Sequence, residues 1–200
     1  MKILIVSGFL GAGKTTFIKR LARNVDQRFA ILENEYGAAG IDGARLGQNR
    51  QGTQKNVWEM TEQCICCIGK KDFAASVLTI ANVVDPEYLI VEPTGVGSLA
   101  RIIENLRQIE YERIQLLSPV TIVDVYSYRR YMAEYPELYQ DQIRSADTII
   151  VSKTEACQAE EKQRIQKFLQ EINSQAKIIT DYASTMTCLL YTSDAADEED

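Results

Sequence analysis

The 200-residue sequence predicts an α/β domain in three layers, a mostly parallel sheet with helices on both faces. Three observations carry that prediction. Short apolar runs alternate with amphipathic helical patterns along the chain. Runs such as Ile3-Leu4-Ile5-Val6 are continuously apolar, as a strand covered on both sides requires. The first run leads directly into Gly8-Phe9-Leu10-Gly11-Ala12-Gly13-Lys14-Thr15-Thr16, which fits G-x-x-x-x-G-K-S/T with Gly8, Gly13, Lys14 and Thr15 in the four fixed positions. That pattern is a phosphate-binding loop, and it narrows the fold to a P-loop NTPase.

The elements follow in order. Ile3 to Val6 is a buried strand, and Phe17, Ile18, Leu21 and Ala22 form the inward stripe of the helix after the phosphate loop. Phe29 to Leu32 is a second strand, ending at Glu33-Asn34-Glu35-Tyr36-Gly37. Residues 38 to 55 hold four glycines and little periodicity, which predicts a surface segment. Val57 to Met60 reads as a short strand and is followed by Cys64-Ile65-Cys66-Cys67. Phe73, Val77, Ile80, Ala81 and Val84 mark a helix closed by Asp85-Pro86, and Tyr88 to Val91 is the next buried strand. Leu99, Ile102, Ile103 and Leu106 predict another helix, Val120 to Asp124 and Thr148 to Val151 two more strands, Glu160 to Ile172 a charged helix, and Lys177 to Thr180 a last strand. No internal repeat interrupts the series. The predicted organisation is one P-loop domain over residues 1–182 and a disordered or non-native tail over 183–200.

Composition excludes several functions. The net charge is −6, and Asp194, Asp197, Glu198, Glu199 and Asp200 supply five of those charges, so the body is nearly neutral. A broad basic face for nucleic acid is therefore not expected, because affinity for a phosphate backbone needs a Lys/Arg surplus. No run reaches the length of a membrane span, and no leader is visible before the first strand, so the expected location is the cytoplasm. The absence of histidine excludes His-based triads and imidazole metal sites, and five cysteines, an odd number, point to thiols or metal ligands rather than a disulfide framework.

The chemistry concentrates in four places. Backbone N–H groups from Gly8 through Gly11, Ala12, Gly13 and Thr16 are expected to cradle phosphates, with Lys14 on the β- and γ-phosphates and the Thr15 hydroxyl on Mg²⁺. Glu92, immediately after a buried strand, stands where P-loop proteins carry a second Mg²⁺ partner; capping of the following turn is the alternative. Gly95 could bring its backbone N–H to the γ-phosphate, although Gly97 is an equal candidate for the flexible member. Ser152-Lys153-Thr154-Glu155 takes the place of the N-K-x-D by which guanine-specific enzymes read their base: Glu155 could accept from the guanine donors, whereas Ser152 lacks an amide. A helix-start Glu155 without a base contact is the other reading. Three thiolates at Cys64, Cys66 and Cys67 suit Zn²⁺ or a related soft metal, with a buried apolar cluster or a redox pair as alternatives.

With these motifs in place, the chain resembles the CobW-type metallochaperone GTPases, relatives of the accessory GTPases of urease and nickel hydrogenase. The resemblance rests on the phosphate loop, Glu33-Asn34-Glu35-Tyr36-Gly37, Cys64-Ile65-Cys66-Cys67 and Glu92-Pro93-Thr94-Gly95. It implies GTP hydrolysis with Mg²⁺ and a Zn²⁺ or related metal site in which Glu33 joins Cys66 and Cys67; ordering of the loop by Glu33 and Glu35 is the alternative. It also implies delivery to a client metalloprotein or a cofactor-dependent enzyme, and possible nucleotide-dependent homodimerisation. Tyr36 stands where the family usually has Phe, and Glu62-Gln63 where Asn-Gly usually precedes the cysteines. The family generally continues into a further α+β domain, which residues 183–200 do not resemble. Two other functions fit the same motifs: an activator NTPase for a cofactor-dependent enzyme, its cysteines structural, and a non-hydrolysing module that senses nucleotide or metal.

Overall fold

The computed structural model describes residues 1–24, 28–33, 57–61 and 70–180. The expected surface segment, the three clustered cysteines, the domain boundary at 182 and the tail lie outside the described residues.

Fourteen elements are described: β1 (Lys2–Ser7), α1 (Lys14–Asn24), β2 (Phe29–Glu33), β3 (Val57–Thr61), α2 (Lys70–Val83), β4 (Tyr88–Glu92), α3 (Leu99–Arg107), β5 (Gln115–Leu116), β6 (Val120–Asp124), α4 (Tyr128–Glu134), α5 (Pro136–Arg144), β7 (Thr148–Ser152), α6 (Ala159–Ile172) and β8 (Lys177–Ile179). The sheet order is β3-β2-β4-β1-β6-β7-β8, and every strand pair in it is parallel. The short β5 lies beside the start of β1, and β6 takes over the same edge from Val6 onward. From β1 the chain first moves to one side, to β2, and later to the other, to β6. Loops leaving the carboxyl ends of β1 and β6 therefore diverge and open a crevice, the usual ligand position in such sheets.

Alternate side chains of the central strands enter two separate cores. Ile3, Ile5, Leu89, Val91, Ile149 and Val151 pack with residues of α2, α3, α5 and α6. Leu4, Val6, Ile90, Ile122 and Ile150 pack with Phe17, Ile18 and Leu21 of α1. Both faces are thus covered, which explains why the strands read as unbroken apolar runs.

Helix ends follow local chemistry. Asp85, in the left-handed region at φ 45, donates its N–H to the Ile80 carbonyl and ends α2 just before Pro86. Ser98 caps α3 by accepting from the Arg101 N–H, while Pro136 opens α5 at a position where a missing donor costs nothing. The pair α4–α5 and the two-residue β5 were not anticipated. Between Tyr126 and Arg144 tyrosines and charges outnumber aliphatic residues, and α4 buries Tyr128 alone, so no apolar stripe announces it.

Candidate functional site

The phosphate loop runs from the carboxyl end of β1 into α1, and one glycine explains its course. At Gly8, with φ 144, an added Cβ would stand 2.5 Å from the Ile122 carbonyl oxygen of β6. Any side chain there would push the loop off the sheet.

Three functional groups converge at the mouth of this loop. Lys14 is buried, and its Nζ lies 3.8 Å from Glu92 Oε1. The Thr15 hydroxyl donates to the same carboxylate, at 3.3 Å to Oε1 and 3.5 Å to Oε2. Burial lowers the lysine's pKa below its ordinary value of 10.5, an effect the Glu92 charge only partly offsets. A hydroxyl and a carboxylate in contact form a hard-oxygen pair suited to one small divalent cation. Glu33 falls in the same row: its Cα pairs with Glu92 on one side and with Thr61 of β3 on the other.

The turn after β4 is pressed against the phosphate loop. An added Cβ at Gly95 would meet the Leu10 nitrogen at 2.7 Å, so the two backbones touch directly. Gly97 closes the turn through its N–H to the Thr94 carbonyl at 2.9 Å. Of the two candidate glycines, Gly95 is therefore the one in backbone contact with the loop.

The end of β7 reaches the site differently. The buried Ser152 hydroxyl donates to the Ala12 carbonyl at 2.6 Å and so ties β7 to the phosphate loop. Lys153, at φ 60, turns its ammonium onto Asp124 Oδ2 at 2.7 Å. Thr154 donates to the Thr180 carbonyl, and Glu155 is exposed. Burial tends to raise the pKa of Asp124, but Lys153, the Tyr126 N–H and the Ser127 hydroxyl together hold it below the ordinary carboxylate value.

Sequence reasoning missed five residues here. Asp124 ends an apolar strand just as Glu92 does, so the signal that found one could have found the other. Tyr131 donates its hydroxyl to the Leu10 carbonyl at 2.8 Å, and its ring sits 4.7 Å from that of Phe9. Tyr139 meets Phe9 edge-on at 5.0 Å, and burial raises its phenol pKa well above the ordinary value. Gln142 and Asp141 hold the segment after β4, as described below. Nothing in the local sequence pattern marks Tyr131, Asp141 or Gln142.

Among the described residues, no three His, Cys, Asp or Glu side chains gather in a metal-holding group, and no helix is long and apolar enough to cross a membrane.

Comparison with known proteins agrees with this architecture. A family model described as "CobW/HypB/UreG, nucleotide-binding domain" matches residues 2–180. The chain is 30% identical to the zinc chaperone YeiR of Escherichia coli K12 over 88% of its own length and 53% of that protein's. It is 27% identical to the zinc chaperone CobW of Pseudomonas aeruginosa, over 90% of this chain and 56% of the relative. It therefore spans about half the length of the curated relatives it matches. Among solved structures, zinc-bound YjiA GTPase from Escherichia coli superposes with a TM-score of 0.67 at 23% identity, covering 90% of this chain and 57% of that one. HypB from Helicobacter pylori in complex with nickel gives 0.59 at 18% identity, covering 88% and 76%. These structural likenesses establish the P-loop fold.

Proposed function

The chain belongs to the CobW/HypB/UreG nucleotide-binding domain family, and on that premise we propose that it is a Mg²⁺-dependent GTPase acting in the cytoplasm as a metallochaperone. In this reading it binds Zn²⁺ or a related transition metal through Cys64, Cys66 and Cys67 and delivers it to a client metalloprotein. The observation that carries the reading is the convergence of Lys14, Thr15 and Glu92 at the mouth of the phosphate loop. The names of the relatives, zinc chaperones and zinc-regulated GTPase metalloprotein activators, support the choice of nucleotide and metal.

Each residue has a part. Lys14 exchanges the Glu92 carboxylate for phosphate oxygens, which relieves the desolvation of its buried ammonium. Thr15 and Glu92 would hold Mg²⁺, whose contribution when bound is to neutralise charge on the β- and γ-phosphates. The Gly95 turn abuts the phosphate loop and is placed to respond when the γ-phosphate leaves. Glu155 faces solvent, free to accept from guanine, while Ser152 keeps the loop in register with β7. For the metal, three thiolates and the Glu33 carboxylate make a four-ligand set of the kind zinc accepts. The tether is short: two residues separate Thr61 from Cys64, and three peptide steps span at most about 11 Å. Thr61 and Glu33 are register partners. A metal site so close to the end of β4 couples to nucleotide state, and that coupling gives hydrolysis its use in cargo release. Nucleotide-dependent pairing of two copies would bring two such sites together.

Calorimetry of GTP and ATP, with and without Zn²⁺, tests the proposal. GTP is expected to bind at least about tenfold more tightly than ATP. Zinc affinity is expected to differ by about tenfold between the GDP and GTPγS states, and to be lost in a Cys64→Ser, Cys66→Ser, Cys67→Ser variant. Equal zinc affinity in both states would leave the cysteines a structural role and favour an activator of a cofactor-dependent enzyme. Nucleotide binding without phosphate release would favour a sensing module.

A further inference from the structure

We propose that Gln142 is a positioning residue of the phosphate site, holding the Gly95–Gly97 turn against the phosphate loop and so setting how sharply the protein distinguishes a nucleoside triphosphate from a diphosphate. The inference rests on the nucleotide reading above and adds a residue outside every motif of that reading.

Gln142 lies on α5 and is 1% exposed. Its side-chain Nε2 donates to two carbonyls of the same turn, Gly95 at 3.1 Å and Gly97 at 3.0 Å. Its neighbour Asp141 accepts from the Leu99 N–H at 2.7 Å and the Ala100 N–H at 3.4 Å, fixing the start of α3 immediately beyond the turn. The adjoining helix α4 holds the opposite wall, through the Tyr131 hydroxyl on the Leu10 carbonyl. One helical pair therefore grips both backbones that meet at Gly95, the phosphate loop and the turn after β4.

The other half of the same amide is unsatisfied. Gln142 Oε1 is buried and has no hydrogen-bond partner. A buried orphan acceptor is destabilising, because it has lost its water without gaining a donor. An apolar side chain would avoid that cost if the position served only packing. The amide instead offers the turn two kinds of anchor, a donor for its carbonyls and an acceptor for its N–H groups. The Gly97 N–H is now committed to Thr94 within the turn. If the turn rearranges so that an N–H is released, Oε1 is the buried acceptor waiting for it. Two arrangements of the turn can thus be held by one side chain, and a ligand that contacts the turn in only one of them shifts the balance. The γ-phosphate is the group that differs between the two nucleotides.

The test compares GDP with GTPγS, each with Mg²⁺, by calorimetry on the full chain and on Gln142→Met, which keeps length and removes both polar atoms. The expected result is a GDP affinity within about twofold of the parent, GTPγS binding weakened by about tenfold, and single-turnover GTP hydrolysis slowed by about tenfold. Gln142→Asn, an amide too short to reach both carbonyls, is expected to shift the GTPγS-to-GDP ratio in the same direction and keeps the test open should Gln142→Met not fold. Equal weakening of both nucleotides in each variant, or no change in either, overturns the proposal. A parent protein that binds GDP with an unmoved ratio in the variants refutes this inference alone. A parent that binds no nucleotide refutes the nucleotide reading and this inference with it.

Discussion

The two ends of the candidate nucleotide site are built in opposite ways. At the phosphate end, Lys14, Thr15 and Glu92 are aimed at one another across 3.3 to 3.8 Å, close yet loosely paired, so a ligand can displace those contacts. At the base end the polar groups are already engaged: Ser152 with Ala12 at 2.6 Å and Lys153 with Asp124 at 2.7 Å. Of the predicted trio Ser152, Lys153 and Glu155, Lys153 and Glu155 are both exposed, but Lys153 is paired with Asp124. In the proposed reading, phosphate recognition is therefore a property of the loop's architecture, whereas base recognition would rest on the exposed Glu155 carboxylate. Affinity and specificity should separate cleanly under mutation.

Lys14→Ala should produce the largest effect, a loss of about 100-fold or more in GTP hydrolysis, falling equally on ATP. Its charge also gives a pH signature. Because burial lowers its pKa, the folded protein sheds this proton at a lower pH than the unfolded chain, below 10.5. Between the two values the unfolded chain binds more protons, so the lysine's contribution to stability improves as pH rises. Triphosphate affinity moves the other way, since the cation is being lost. An alkaline fall in GTPγS affinity that begins below pH 10.5 in the parent and vanishes in Lys14→Ala is the expected titration result. A fall of the same size and midpoint in the variant would assign it to another group and weaken the contrast between the two ends.

Glu155→Gln should act on the base end alone. The GTP-to-ATP affinity ratio is expected to drop by about tenfold or more, with ATP binding unmoved, because an amide cannot accept both guanine donors as a carboxylate does. Competition calorimetry reads both values. An unchanged ratio would show that the exposed carboxylate does not read the base.

What the sequence disclosed follows from how local each feature is. β1, β2, β4, β6 and β7 were legible because parallel strands covered on both faces need continuous apolar runs. The helices α1, α2, α3 and α6 were legible from their single apolar stripes. The pair α4–α5 was not, although Pro136 at the first position of α5 was an available start signal. In the site, Lys14 and Thr15 sit within one contiguous motif, and Glu92 ends a run that announces itself. Gln142 acts on a turn 45 to 47 residues earlier, and no periodicity links the two. Side chains that position backbone from a distant helix leave no short-range trace, and here they support both walls of the phosphate site.

Ser152 gives the smallest effect and the finest division between the two ends. By its place in the Ser152-Lys153-Thr154-Glu155 segment it belongs to base recognition. By its contacts it belongs to the phosphate loop, since its hydroxyl donates to the Ala12 carbonyl at 2.6 Å and lies 3.4 Å from the Val123 carbonyl. Ser152→Ala removes one buried hydrogen bond and leaves a carbonyl to find another partner, a cost of about 1 kcal/mol and a several-fold loss of nucleotide affinity. If the hydroxyl serves the loop, GTP and ATP lose equally and GDP loses as much as GTPγS, because the cradle as a whole relaxes. If it serves the base, the GTP-to-ATP ratio shifts while the phosphate count makes no difference. The first pattern is expected, since the oxygen of the side chain is already turned toward Ala12, and it would mark Ser152 as the tie by which the base-end strand holds the phosphate loop in place.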